Sequence, residues 1–208
     1  ISAIRTAEND RIMVAAFHDN SSQGFMDVFK LKLNGTFDST FAQSAIIFQR
    51  PFLQSHFFEH LKMDMDTAMN PTILGYSTFS VQLTGHMILR LTKNGQVVTE
   101  FNGNGIETYT NSQGNQNLAD YSYGSSDKLV GVAQISNGKI LIAGNIFQDP
   151  NDSRKRIGLV RLTADGKIDS SFGTTGRKAI IPDNNPSIMK AFVKLDDEKI
   201  LFNRNENT

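Results

Sequence analysis

The hydrophobic positions of this chain fall in short β-branched or aromatic runs broken by Asn-Gly and Asp-Gly pairs, the pattern of strands joined by tight turns. Val130-Gly-Val-Ala-Gln-Ile135 leads into Asn137-Gly138, and Lys139-Ile-Leu-Ile-Ala143 leads out. Ile157-Gly-Leu-Val-Arg-Leu162 then runs to Asp165-Gly166, and Lys178-Ala-Ile-Ile181 follows. Asn34-Gly35 and Asn94-Gly95 occupy comparable places. Such pairs adopt the positive φ angles of a type I′ turn, whose twist matches the strands it joins, so type I′ hairpins are expected at all of them.

The runs recur. Leu31, Gly35, Asp38 and Phe41 match Leu91, Gly95, Val98 and Phe101, and then Leu162, Gly166, Asp169 and Phe172. Leu stands four before each Gly and Phe six after it, and the glycines are 60 and 71 residues apart. A second motif alternates with the first: Asn9-Asp-Arg-Ile12, Asn70-Pro-Thr-Ile73, Asn137-Gly-Lys-Ile140 and Asp197-Glu-Lys-Ile200, with isoleucines stepping by 61, 67 and 60. Two motifs sharing one drifting period define a repeat. Each unit of roughly 60 residues holds about four strands, the content of a propeller blade. The units span about 1–49, 57–113, 127–183 and 188–208, with connecting segments at 50–56 and 110–127. The expected fold is all-β: one β-propeller-like repeat domain of four-stranded blades, about three and a half blades in all, read as part of a larger propeller.

Phe41, Phe101 and Phe172 sit at equivalent positions, where one large ring per unit would pack blade against blade. Asp38 and Asp169 are placed to accept backbone N–H bonds in the turn that follows, a structural use that outweighs cation binding.

Composition narrows the function. Lys plus Arg (21) equals Asp plus Glu (21), so no basic surplus exists to neutralise a nucleic-acid backbone. The absence of cysteine excludes disulfides, thiolate metal sites and a Cys nucleophile. No apolar run approaches the roughly 18 residues of a membrane helix, so membrane insertion is not expected.

The string Val160-Arg-Leu-Thr-Ala-Asp-Gly-Lys-Ile-Asp-Ser-Ser-Phe-Gly173, following Asn137-Gly-Lys-Ile-Leu-Ile-Ala-Gly144, resembles a delta-60 repeat. The first unit has Ala42 where Gly would follow, and the second carries Val98 for Asp and Asn102 after Phe101. The resemblance implies a propeller-like fold in a bacterial protein of extracellular, periplasmic or cell-surface location. It implies no catalytic residue and no cofactor.

Candidate chemistry is sparse. His56-Phe-Phe-Glu59-His60 has the H-x-x-E-H form of the inverzincin metalloproteases. That chemistry requires a helix, which brings the two His within reach of one zinc; on a strand they lie roughly 13 Å apart. Phe52, His56, Glu59 and Met63 have helical spacing, and the repeat register puts His60 just before the first strand of its unit. No second Glu motif supplies a third ligand, so linker histidines are the stronger reading and no metal site is assigned. Asp64 and Asp66 lack the alternating third ligand and the terminal Glu of a calcium loop, and Asp149, Asn151 and Asp152 are a similarly weak calcium candidate, better read as a solvated hairpin loop. The nucleophile elbow and the phosphate loop are missing; Asn102-Gly103-Asn104-Gly105 reads as a turn. Tyr109, Tyr121 and Tyr123 concentrate at the long polar connection 110–127, where they could meet a protein partner or a glycan.

With no convergent catalytic set, the leading expectation is a non-enzymatic structural and protein-interaction module. Its partners would be other proteins or further blades of the same chain, within a larger exported or assembly-associated protein. A carbohydrate-binding propeller is the alternative, and a hydrolase with an axial site stands third.

Overall fold

The computed structural model describes residues 3–7, 11–20, 23–41, 46–49, 57–80, 83–110, 128–149, 152–180, 187–195 and 199–206. Four antiparallel sheets follow one another along the chain. The first is a meander of β1 (Ala3–Ala7), β2 (Arg11–Asn20), β3 (Gln23–Lys32) and β4 (Ile46–Gln49). The second contains β5 (Phe57–Met65), β6 (Pro71–Ser80), β7 (Leu83–Arg90) and β8 (Ile106–Thr110). The third contains β9 (Lys128–Gln134), β10 (Ile140–Asp149), β11 (Asp152–Leu162) and β12 (Arg177–Ile180). The fourth pairs β13 (Ser187–Lys194) with β14 (Ile200–Glu206). Strand order is sequence order throughout, with short connections among the first three strands of each four-stranded sheet and a longer, turn-bearing connection before the fourth.

By contact the chain forms two compact units, Ile1–Phe79 with Gly85–Thr108, and Ser80–Thr84 with Tyr109–Thr208. In the first, β1 and β2 pack on β5, and one core gathers Met13, Ala15, Met26, Val28 and Phe41 with Leu61, Met63, Ile73, Met87 and Leu89. The many methionines suit an irregular gap between two twisted sheets, because an unbranched thioether adapts its shape. In the second unit, β13 lies on β9, β10 and β11, and Ala133, Leu141, Ala143 and Ile157 pack with Met189 and Phe192. Gly131 is what lets that sheet approach: a Cβ there would overlap the Phe192 ring.

The turns differ in kind from the single type expected. Only at Asn137-Gly138 are both residues left-handed, with φ of 59° and 70°, as in type I′. At the other three pairs Gly35, Gly95 and Gly166 have φ of 80°, 85° and 89°, and their Asn or Asp neighbours are not left-handed. There the glycine N–H closes a turn onto the carbonyl of Lys32, Thr92 or Thr163 at 2.9, 2.9 and 3.0 Å. The next N–H···O bond runs from that same residue to the carbonyl beyond the glycine. This is the longer hairpin with a glycine bulge, which needs one left-handed residue, not two. Asn34 takes a side-chain role instead, its Oδ1 accepting from the Thr36 N–H at 3.1 Å and the Thr36 hydroxyl at 2.8 Å.

Candidate functional site

The two sequence motifs of the repeat meet in space. In the third sheet Lys139, just before β10, places its Nζ 2.8 Å from Asp169 Oδ2. Arg161, near the end of β11, donates from Nε to the same oxygen at 2.8 Å and from its terminal nitrogen to the Ser171 hydroxyl at 3.0 Å. The other carboxylate oxygen accepts the Ser171 N–H at 3.1 Å and its hydroxyl at 2.6 Å. The turn is locked to the strand by the Asp169 N–H, which donates to the Arg161 carbonyl at 2.9 Å. Finally, the Arg161 guanidinium stacks 4.7 Å from the Phe172 ring centre.

The first sheet repeats this arrangement. Arg11 Nε donates to Asp38 Oδ2 at 2.9 Å, and Asp38 Oδ1 accepts from the Thr40 N–H at 3.1 Å and hydroxyl at 2.6 Å. Asp38 is buried, and a buried carboxylate must be paired and hydrogen-bonded to stay ionised. The Thr40 hydroxyl, with lesser help from the Thr40 amide and Arg11, holds it down to about 2 against the opposing effect of burial. Asp169 is likewise held below the usual carboxylate range, by Lys139 first and then Ser171.

The second sheet departs from this pattern at both ends of the pair. Pro71, and not Ile73 as the motif spacing suggested, takes the repeat's isoleucine position, since it pairs with Met65 and its carbonyl accepts the Leu91 N–H at 3.1 Å. Asn70 therefore stands at the place of Lys139 and Val98 at that of Asp169, yet the turn keeps its path, with the Val98 N–H bonded to the Arg90 carbonyl at 3.1 Å. A different cluster fills the position. Asp66 Oδ1 accepts the N–H groups of Ala68 and Asn70 at 2.9 Å each. Asp66 Oδ2 accepts the Asn70 side-chain amide at 3.0 Å, and Asn70 Oδ1 accepts the Lys93 N–H at 2.8 Å. Arg90 lies 3.9 Å from Asp66 and over the Phe101 ring at 6.0 Å; its burial lowers the guanidinium pKa, partly offset by Asp66.

The repeated aromatics are not equal. Phe41 and Phe101 are fully buried, whereas Phe172 is half-buried at the margin of the second unit's core. Of the zinc candidates, His56 lies outside the described residues. Glu59 and His60 belong to strand β5, and the register with β6 slips between Phe58 and His60. The first strand of that unit therefore begins before His60, and the helix that the helical spacing of Glu59 and Met63 allowed is replaced by extended backbone. Tyr109 lies in β8; Tyr121 and Tyr123 fall outside the described residues. Asp149 and Asp152 are register partners of β10 and β11, Asn151 lies outside the described residues, and Asp66 is occupied by its own turn.

One signal was missed in the sequence. Gly105 and Gly176 each follow the repeated Phe by four residues, are left-handed, and bond their N–H to that Phe carbonyl at 2.7 and 2.8 Å. A Cβ at either would overlap Val97 or Ile168. Phe-x-x-x-Gly is visible in two of three units and extends the repeat signature.

Residues 135–172 match the family described as a domain of unknown function (DUF5122) beta-propeller. The matched stretch contains both ends of the Lys139–Asp169 pair and stops on Phe172. The chain is thus an all-β repeat of the propeller kind. No curated protein matches it.

Proposed function

We propose that the chain is a non-enzymatic repeat module of the delta-60 type, serving structure and protein interaction within a larger exported or assembly-associated protein. The observation that carries this reading is where the repeat's signature polar residues go. Arg11, Asp38 and Thr40 bond to one another, as do Lys139, Arg161, Asp169 and Ser171. Groups consumed in holding a turn to its own sheet are not presented to a substrate. Exposed apolar side chains such as Leu33 and Phe37 suit contacts with other proteins better than with solvent.

The purified chain should show no turnover on panels of ester, peptide, glycoside and phosphate-ester substrates, and no hit on a glycan array. Turnover abolished by a single substitution would overturn the reading in favour of a hydrolase. A glycan signal lost in the Tyr121→Ala/Tyr123→Ala double variant would replace it with a lectin.

A further inference from the structure

Five Asn-Gly pairs stand in the chain, beginning at Asn34, Asn94, Asn102, Asn104 and Asn137. Such a pair has a chemistry of its own. The backbone nitrogen after an asparagine can attack the side-chain Cγ, and glycine carries no side chain to obstruct it. A C–N bond forms, the Nδ2 nitrogen leaves as ammonia, and a cyclic succinimide results. Water then opens that ring to aspartate or isoaspartate. No oxidant or reductant takes part; water is the co-reactant. The glycine nitrogen must shed its proton to attack, so an N–H already given to a carbonyl has a hydrogen bond to break first.

That requirement sorts the five pairs. Gly35 and Gly95 donate their N–H groups to the Lys32 and Thr92 carbonyls at 2.9 Å each, the bonds that close their hairpins. Gly105 donates to the Phe101 carbonyl at 2.7 Å, and Asn104 before it is held by its Oδ1, which accepts the Ile106 N–H at 3.0 Å. Asn137 and Gly138 are the central residues of a turn fastened by the Ile135 N–H to the Lys139 carbonyl at 2.9 Å. Rotating the Asn137 backbone into a ring means parting β9 from β10. Gly103 differs. It lies within the unbroken described stretch 83–110, and its N–H has no hydrogen-bond partner among the described residues. Both Asn102 and Gly103 are exposed, and a Cβ on Gly103 would meet nothing within 4 Å.

The group that would leave is also one that the turn uses. Asn102 Nδ2 donates to the Ile106 carbonyl at 3.1 Å, bridging the turn that follows the fully buried Phe101 ring. A carboxylate in its place has no proton to donate. Isoaspartate would add a methylene to a backbone already in the left-handed region, at φ 51°.

We propose that Asn102 is a site of spontaneous deamidation, the first of the five pairs to convert, and that its conversion loosens the turn behind Phe101. The third unit carries Gly173 at this position and has no such site.

The test is peptide mapping by mass spectrometry of the full chain aged in mildly alkaline oxygen-18 water, which labels each ring as it opens. In the folded chain Asn102 should convert several-fold faster than the other four asparagines, the factor that one hydrogen bond supplies. In guanidinium chloride, where no turn persists, the five rates should converge. Asn102→Gln should remove the label at this position and leave the other four rates unchanged. The aged chain and fresh Asn102→Asp should both unfold at lower denaturant than fresh wild type, whereas Asn102→Gly, which copies the third unit, should hold its midpoint over the same period. No conversion at Asn102, or another pair keeping pace with it in the folded chain, overturns the site. A chain converted at Asn102 yet as stable as the fresh one overturns the loosening.

Discussion

Lys139 Nζ and Asp169 Oδ2, 2.8 Å apart, belong to different sequence motifs, and their contact makes the two motifs one device. The lysine precedes the second strand and the aspartate closes the turn after the third, so the pair ties both to one point. A double-mutant cycle of Lys139→Met and Asp169→Asn, read by urea unfolding, should show each change destabilising and the double variant less damaged than the sum. Simple additivity would mean the contact contributes nothing.

Acid should release the same clasp. Asp38 has a folded-state pKa of about 2 and Asp169 is also lowered, against roughly 3.9 in an unfolded chain. Below about pH 4 the unfolded state binds protons that the folded state refuses, so stability falls as the medium becomes more acidic. The contribution is complete above pH 4 and lost as pH drops through the folded values. Asp38→Asn should flatten the stability curve in that window and leave its slope near neutrality unchanged, as measured by chemical unfolding at a series of pH values.

The aromatic series should split by burial. Phe41→Ala and Phe101→Ala, at fully buried sites, should each cost roughly 3–5 kcal/mol. Phe172→Ala should cost clearly less, because its ring already meets solvent and part of its packing is the Arg161 guanidinium. Equal losses at all three, read by denaturant midpoints, would contradict the observed difference in cover.

Gly131→Ala tests the closeness of β9 and β13. The new methyl would overlap Phe192, and overpacking of this kind costs about 1–3 kcal/mol. Phe192→Ala made in the Gly131→Ala background should do less harm than in the wild type, because the methyl then occupies vacated space.

Thr72→Val should stabilise. Thr72 is wholly buried, and its hydroxyl has no hydrogen-bond partner among the described residues. Replacing an unmatched hydroxyl by an isosteric methyl removes a desolvation cost of about 1 kcal/mol, visible as a higher thermal midpoint.

The all-β class and the repeat were legible because both depend on local pattern: Leu, Gly and Phe recur at fixed spacing, and turn residues mark where strands reverse. The role of Asp38 and Asp169 as acceptors in their own turns was legible for the same reason. Their cation partners were not, because Arg11 and Lys139 are distant in sequence and meet the aspartates only when the second and third strands pair. Turn type was misjudged at Asn34, Asn94 and Asp165, since dipeptide identity does not reveal how many residues the hairpin contains. Glu59 and Met63 had helical spacing, yet their strand pairs with β6; pairing overrode the local pattern.

The second sheet, which holds its turn with Asp66, Asn70 and Arg90 instead of a lysine–aspartate pair, carries a wider consequence. The polar fastenings of the first three sheets each close within one sheet, so one can change its composition without altering the others; within each unit the sheets meet mainly through apolar side chains, with the Lys194 ammonium also donating to the Gln134 carbonyl at 2.9 Å. Arrays assembled this way can gain or drop members at the cost of one greasy contact surface, and their length becomes a variable that selection can adjust.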